Sequence, residues 1–289
     1  MVSDSSALPT ASSEISQPVT FIRPAKGWIG INVRELWRYR ELTYFFIWRD
    51  VKVRYKQTLL GAGWAILRPF ITMIIFSIIF GRLAGLPTDG IPGPVFYYAG
   101  LLPWVLFQDG VSKSGNSLVG GRNLITKVYF PRLAIPISAV TAGLVDFAIS
   151  FIVLLGLMLF FKVSLAPSVL LLPFFLVIAL LSSLGAGSYL GALNVKYRDV
   201  AQVIPFLLQA WMYASPVAYS ATIIPEGIWQ FLYGLNPMAS AVQGFRWAML
   251  GSGKPSIEML TASIISCVLL VLVGVYYFRR TEKTFADLV

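Results

Sequence analysis

The residues able to do chemistry in this chain are few. There is no histidine, and Cys267 is the single cysteine among 289 residues. A Ser/His or Cys/His relay is therefore impossible, a disulfide within the chain is excluded, and a His- or Cys-ligated metal centre is nearly so. No G-x-x-x-x-G-K-[ST] stretch is present to cradle nucleotide phosphates. Asp109 and Asp146 are the only acids within or beside the long apolar runs, and they fall on different runs. Hydrolysis or transfer at a sugar with paired carboxylates would need more. An ionisable residue inside an apolar run, as Asp146 is, marks a functional position by default. It fits one step of a proton relay, or a carboxylate satisfied by hydroxyls or backbone groups of a neighbouring helix. A relay uses several acids or histidines in a chain, so the structural role is the one expected here.

The stretch that stands out is Gly121–Pro136, GRNLITKVYFPRLAIP, short, basic and aromatic between two apolar runs. Lys127 and Arg132 flank Val128, Tyr129 and Phe130, so one or two helical turns here would be amphipathic, with Pro131 and Pro136 limiting their length. A loop between spans has no need of such side chains unless they dock on something. The expectation is that this loop receives motion from a soluble partner and passes it to the spans.

The elements that must position this loop follow from composition. The chain is 57% hydrophobic and 12% charged, with a mean hydropathy of +0.74; a soluble domain is about a quarter charged. This is the composition of an integral membrane protein. The expected fold is all-α with six spans, near Trp64–Leu83, Phe96–Val111 (continuing to Leu118), Ile135–Phe161, Ser168–Leu193, Val200–Tyr219 and Met259–Phe278. Ile228–Leu235 and Ala239–Leu250 are too short to span and fit re-entrant helices on either side of an Asn236–Pro237 turn. Residues 1–25 read as a disordered polar tail without a signal peptide, and 26–289 as one transmembrane domain. Of the 23 Lys and Arg, nineteen fall on the side of the termini and of Gly121–Pro136, and four (Arg82, Lys162, Arg246, Lys254) on the other. Both termini and the loop are therefore expected in the cytoplasm.

Two aromatic groups complete the reading. Trp28–Lys56 mixes Trp, Tyr and Phe with Arg and Lys, including Arg34, Arg38, Arg54 and Lys56. That mixture fits a helix in the lipid headgroup layer better than a nucleic-acid surface. Trp104, Phe107, Trp211, Tyr213, Tyr219, Trp229, Phe231 and Tyr233 gather in the second span, the fifth span and the re-entrant segment. They fit interfacial belts and helix packing, or a channel lined by ring faces on which sugars slide.

Several segments in order resemble one family. Arg49–Pro69, RDVKVRYKQTLLGAGWAILRP, is similar to the approach to the first span of ABC-2 type permeases that export polysaccharides such as O-antigen, capsule or teichoic acid. LITKVYFPRLAIP resembles the cytoplasmic coupling helix of that family. GLLPWVLF at Gly100–Phe107, NVKYRD at Asn194–Asp199 and NPM at Asn236–Met238 followed by Arg246 resemble later parts of it. The likeness runs from about Val33 to the C-terminus.

The resemblance implies a homodimer of six-span subunits, with two copies of a separate ATPase subunit holding ATP and Mg, and no enzyme site or cofactor in this chain. Leu124, Ile125, Lys127, Val128, Tyr129, Phe130 and Arg132 would dock in the ATPase cleft. Val33–Phe46 would be an amphipathic interface helix. The cargo implied is a glycan on a polyprenyl diphosphate, whose charge Arg34, Arg38, Arg54 and Lys56 would meet at a cytoplasmic gate; the same residues also fit binding of anionic membrane lipids. The place implied is a bacterial inner membrane, and the process lipopolysaccharide biosynthesis or its like. An ABC-2 exporter of lipid or a small amphiphile is the competing reading.

Overall fold

The computed structural model describes residues 33–56, 61, 63–120, 130–282 and 285, with side chains from Leu36 on. The tail 1–25 and the loop as far as Tyr129 lie outside these residues. Every regular element among the described residues is helical. In chain order they are α1 (Val33–Arg38), α2 (Arg40–Lys56), α3 (Gly63–Phe76, continued as a π-helix over Ser77–Leu83), α4 (Gly93–Gly120), α5 (Ala134–Thr141) and α6 (Gly143–Phe160). Then come α7 (Leu172–Lys196), α8 (Val200–Tyr213), α9 (Ile228–Gly234), α10 (Pro237–Leu250) and α11 (Ile257–Glu282), with short 3-10 turns at Pro167–Leu171 and Ala221–Ile223.

Four helical stretches are long and apolar enough to cross a membrane: Gly63–Leu83, Ala134–Phe160, Pro167–Lys196 and Ile257–Glu282. The other two expected spans are helical but differ in kind. α4 has 28 residues, about 42 Å at 1.5 Å per residue, but carries Gln108, Asp109 and Lys113 in its middle. Protein surrounds it, since α3, α5, α6, α7, α8 and α10 all pack on it. Those polar groups are therefore sheltered by neighbours instead of by lipid. α8 has 14 residues, about 21 Å, and stops at Tyr213, six residues before the expected end, where the chain turns towards Pro216. The two segments expected to be re-entrant hold the short helices α9 and α10.

Close helix crossings hold the centre. α7 lies so near α11 that a Cβ at Gly274 would strike the backbone of Gly185. On its other side a Cβ at Gly187 would meet Ser114 of α4 at 2.6 Å. Small residues let apolar helices approach and gain dispersion contacts where lipid offers no hydrophobic drive. Two separate apolar clusters result. The larger one, around Phe96, Trp104, Phe107, Phe175 and Phe245, fills the middle and one end. The second, around Phe46, Leu118, Phe130, Val195, Phe278 and Phe285, closes the opposite, basic end.

The basic aromatic segment forms α1 and α2, with Tyr44, Phe45, Trp48 and Val53 exposed on α2 among its cations. Its C-terminal half runs along α5, where Ser138 Oγ lies 3.5 Å from the Asp50 carboxylate. That course carries Arg54 and Tyr55 from the basic end into the bundle.

Candidate functional site

An ion cluster forms where α2, α3, α4 and α6 meet. Asp146 accepts hydrogen bonds from the Arg54 guanidinium and the Tyr55 hydroxyl, and Lys113 Nζ stands 3.6 Å away. Asp109 accepts from Lys113 at 2.9 Å and from Arg68 at 3.2 Å. Lys113 thus bridges the two carboxylates, one helical turn beyond Asp109. Three cations meet two anions, leaving an excess of one positive charge. Burial raises the Tyr55 phenol above its usual range, against a smaller lowering by Arg54, so it is a proton donor to Asp146 at neutral pH.

Two voids share Arg54 and Lys113 of this cluster in their walls. A cavity of about 330 Å³ is lined by Trp64, Arg68, Pro69, Leu102, Asp109, Asp146 and Phe147 among others, and Arg54 and Lys113 form part of its wall. The second void, about 520 Å³, is lined by Arg49, Asp50, Val53, Ser117, Gly120 and Ile135, and again by Arg54 and Lys113. The two shared cations stand between a groove towards the basic end and a chamber among the helices.

Of the four cations expected at a gate, Arg54 is in this cluster. Arg38 and Lys56 are exposed and stand outside both voids; the Arg34 side chain lies outside the description. Asp146 is satisfied by a hydroxyl of a neighbouring helix, as expected, that of Tyr55, and in addition by the Arg54 guanidinium. Reading the sequence missed Tyr55, Arg68 and Lys113. The Asp109/Lys113 pair at i and i+4 within an apolar helix was the available signal.

The far side of Gly121–Pro136 is anchored in the second apolar cluster. Phe130 is 3% exposed and meets Phe46 of α2 edge-on, ring centroids 5.4 Å apart. The Arg132 backbone N–H donates to the Glu282 carboxylate at 3.2 Å, its guanidinium donates to the Glu282 carbonyl, and it lies over the Phe285 ring at 5.8 Å. Both were expected to face a docking partner. Instead Phe130 is core and Arg132 is bound within the chain. The other expected docking residues, Leu124, Ile125, Lys127, Val128 and Tyr129, lie outside the described residues.

At the opposite end, the aromatics divide. Trp104 and Phe107 are 1% and 0% exposed; the indole donates to Gln108 Oε1 at 3.0 Å, and Phe107 packs on Trp211 at 4.9 Å. Neither ring has a face left for a passing sugar, so these two are packing residues and not channel lining. Trp211 is half-buried and donates to Asn236 Oδ1 at 2.8 Å. Tyr219 and Tyr233 join their hydroxyls at 2.9 Å. Tyr213, Trp229 and Phe231 are exposed.

Behind this rim lies Arg246, fully buried. Its guanidinium donates to the carbonyls of Phe96 (3.3 Å), Pro216 (3.0 Å), Val217 (3.1 Å) and Tyr219 (3.3 Å) and to Gln243 Oε1 (3.1 Å). It also sits 3.7 Å over the Phe96 ring. A side chain at Gly100 would collide with it. One cation thus ties α10 to α4 and to the turn after α8.

These features belong to a recognised kind of protein. The family model described as ABC-2 type transporter matches residues 41–250, and the chain belongs to that family. It is 31% identical over 257 residues to the O-antigen export system permease protein RfbA of Myxococcus xanthus, which covers 88% of this chain and 98% of that one. The Klebsiella pneumoniae protein of the same name is 27% identical over 244 residues, 83% of this chain and 92% of its own. The polysialic acid transport protein KpsM of Escherichia coli is 26% identical over 244 residues, 81% and 91% of the two chains. The chain is a membrane protein of this family.

Proposed function

We propose that this chain is the transmembrane subunit of an ATP-driven exporter that carries a polysaccharide, O-antigen or a similar glycan, across the bacterial inner membrane. The observation that carries the reading is the near full-length similarity to permeases named for O-antigen and polysialic acid. Two chains make the permease, each with six crossings: α4 and α8 join the four long apolar stretches once a second copy and the α9–α10 pair complete the passage. Both termini face the cytoplasm, in keeping with the distribution of Lys and Arg.

ATP and Mg are held by two copies of a separate ATPase subunit, and this chain holds no cofactor, metal or nucleic acid. Residues 124–129 contact that subunit, and Phe130 and Arg132 relay the motion inwards. The glycan is linked to a polyprenyl diphosphate. Its diphosphate meets cations at the basic end, Arg34 among them, with Arg54 innermost and Arg38 and Lys56 nearer the surface. Tyr213, Trp229 and Phe231, beside the Tyr219–Tyr233 pair, offer ring faces at the exit. The coupling free energy reaches the passage through the loop, because both sites bias one set of packed helices.

Reconstituting the full chain with its ATPase in sealed vesicles tests this. ATP-dependent movement of a lipid-linked polysaccharide is expected. Transport of a phospholipid or small amphiphile in place of the polymer would favour the competing reading.

A further inference from the structure

At the end opposite the basic one, Asp89 grips a distant segment of the chain. Its carboxylate accepts from the Ser220 hydroxyl at 2.6 Å and from the Thr222 hydroxyl at 3.1 Å. The contact continues inwards. Gln243 Nε2 lies 3.4 Å from Ser220 Oγ, and Gln243 Oε1 accepts from the Ala221 N–H at 3.2 Å and from Arg246 at 3.1 Å. The two sides of this contact are unlike. Ser220, Gln243 and Arg246 are each at most 1% exposed, and they form a fixed frame. Asp89 is half-buried, on the connection between α3 and α4. Among the described residues, its bonds are the ones that tie this connection to the frame. Its φ of +51° is left-handed, which is uncommon for a residue with a side chain. Gly85 and Gly90 on either side also have positive φ, and a Cβ on either would meet nothing within 4 Å. Backbone geometry, not packing, calls for glycine there. Beyond Gly90, Ile91 packs against the larger apolar cluster, so residues 85–90 are the part free to swing.

We infer that Asp89 is a positioning residue that latches this loop to the exit, and that the latch releases as cargo leaves. The inference rests on the export reading, which makes this end the exit. Ser220 directly follows Tyr219, whose hydroxyl meets that of Tyr233, so the carboxylate holds the chain beside the exit aromatics. In the latched state two hydroxyls donate to one charged group, a favourable arrangement. Thr222 is exposed and Asp89 partly so, and water replaces their bond on release at small net cost. The loop then turns about Gly85 and Gly90, while Arg246 keeps α10, α4 and the turn after α8 together. Asp89 itself need touch no cargo.

A latch and a permanent strap respond differently to two changes. In the first, Asp89→Cys and Thr222→Cys are joined in the purified full complex by a short, reducible bis-thiosulfonate; Cys267 is 3% exposed and does not compete. ATP-driven polymer export after reconstitution should be lost and should return on reduction. Full export with the link in place overturns the inference. In the second, Asp89→Asn keeps the side-chain size and the tolerance of left-handed backbone but removes the charge. Weakening a contact made only in the closed state favours the open state, and with it the ligand that drives opening. Equilibrium binding of a non-hydrolysable ATP analogue to the complex should therefore tighten, by up to about tenfold, the scale of one hydrogen bond to a charged group. A loosened strap leaves nucleotide binding unchanged or weaker, and either result overturns the inference. If the linked protein does not fold, the sign of this shift decides; if Asp89→Asn does not fold, the link decides. Export by the wild-type complex is measured in parallel. Wild-type export together with a contrary result sinks this inference alone, whereas no wild-type export sinks the functional reading.

Discussion

Arg132 and Glu282 stand 150 positions apart in the chain and hold each other twice, through the Arg132 N–H to the Glu282 carboxylate and through the guanidinium to the Glu282 carbonyl. Glu282 also accepts from Arg279 at 3.2 Å. The return of the loop is thereby joined to the end of the last long helix, and Phe130 joins it to α2. Motion entering at residues 121–129 would reach α2, α5 and α11 together through this junction.

Arg132→Glu should therefore act on folding first. It sets two like charges together and removes a charged donor, a loss of about 2 kcal/mol, read as a lower melting temperature in detergent. Lys127→Glu, on the loop itself, should leave the melting temperature unchanged and weaken ATPase association. Unchanged melting for Arg132→Glu would contradict the junction.

Phe130→Ala empties a buried ring position between α2 and α5. A loss of about 3 kcal/mol is expected, with ATP hydrolysis by the assembled complex less dependent on export. Stability close to wild type would mean that the Phe46–Phe130 contact does not bear on the fold.

The aromatics give a paired prediction. Trp104→Ala should cost about 3 to 5 kcal/mol of stability, as large-to-small changes in a core do. Tyr213→Ala, Trp229→Ala and Phe231→Ala should leave melting within about 0.5 kcal/mol, the usual range for exposed positions, while slowing export of long polymers. Equal export by all three single variants and by their combination would leave them as membrane-interface residues.

Arg246→Met leaves four carbonyls without their donor in a buried place, at a cost of about 3 kcal/mol or more. Gly100→Ala should have a similar effect by pushing the guanidinium aside. Both are read by thermal unfolding, and a neutral result for both would contradict the clamp.

Much of the fold was legible because apolar length is a one-dimensional signal. Gly63–Leu83 and Ile257–Glu282 lie within four residues of the expected spans, and the Asn236–Pro237 turn is where it was expected, Asn236 Oδ1 accepting from the Met238 N–H at 3.0 Å. α8 ended early because apolar composition continues through the turns after Tyr213. The site was less legible. Arg54, Lys113 and Asp146 come from three helices, and nothing in local spacing says that α2 climbs beside α5 to bring them together. Aromatic composition likewise did not separate Trp104, which is packed, from Trp229, which is exposed, since both lie in apolar surroundings.

The most direct measurement is ATP-driven uptake of a lipid-linked polysaccharide into inside-out vesicles containing the full chain and its ATPase. Uptake is predicted only when both subunits and ATP are present, with Lys127→Glu abolishing it while the chain stays folded. Uptake by the chain alone, or full uptake by Lys127→Glu, would contradict the account.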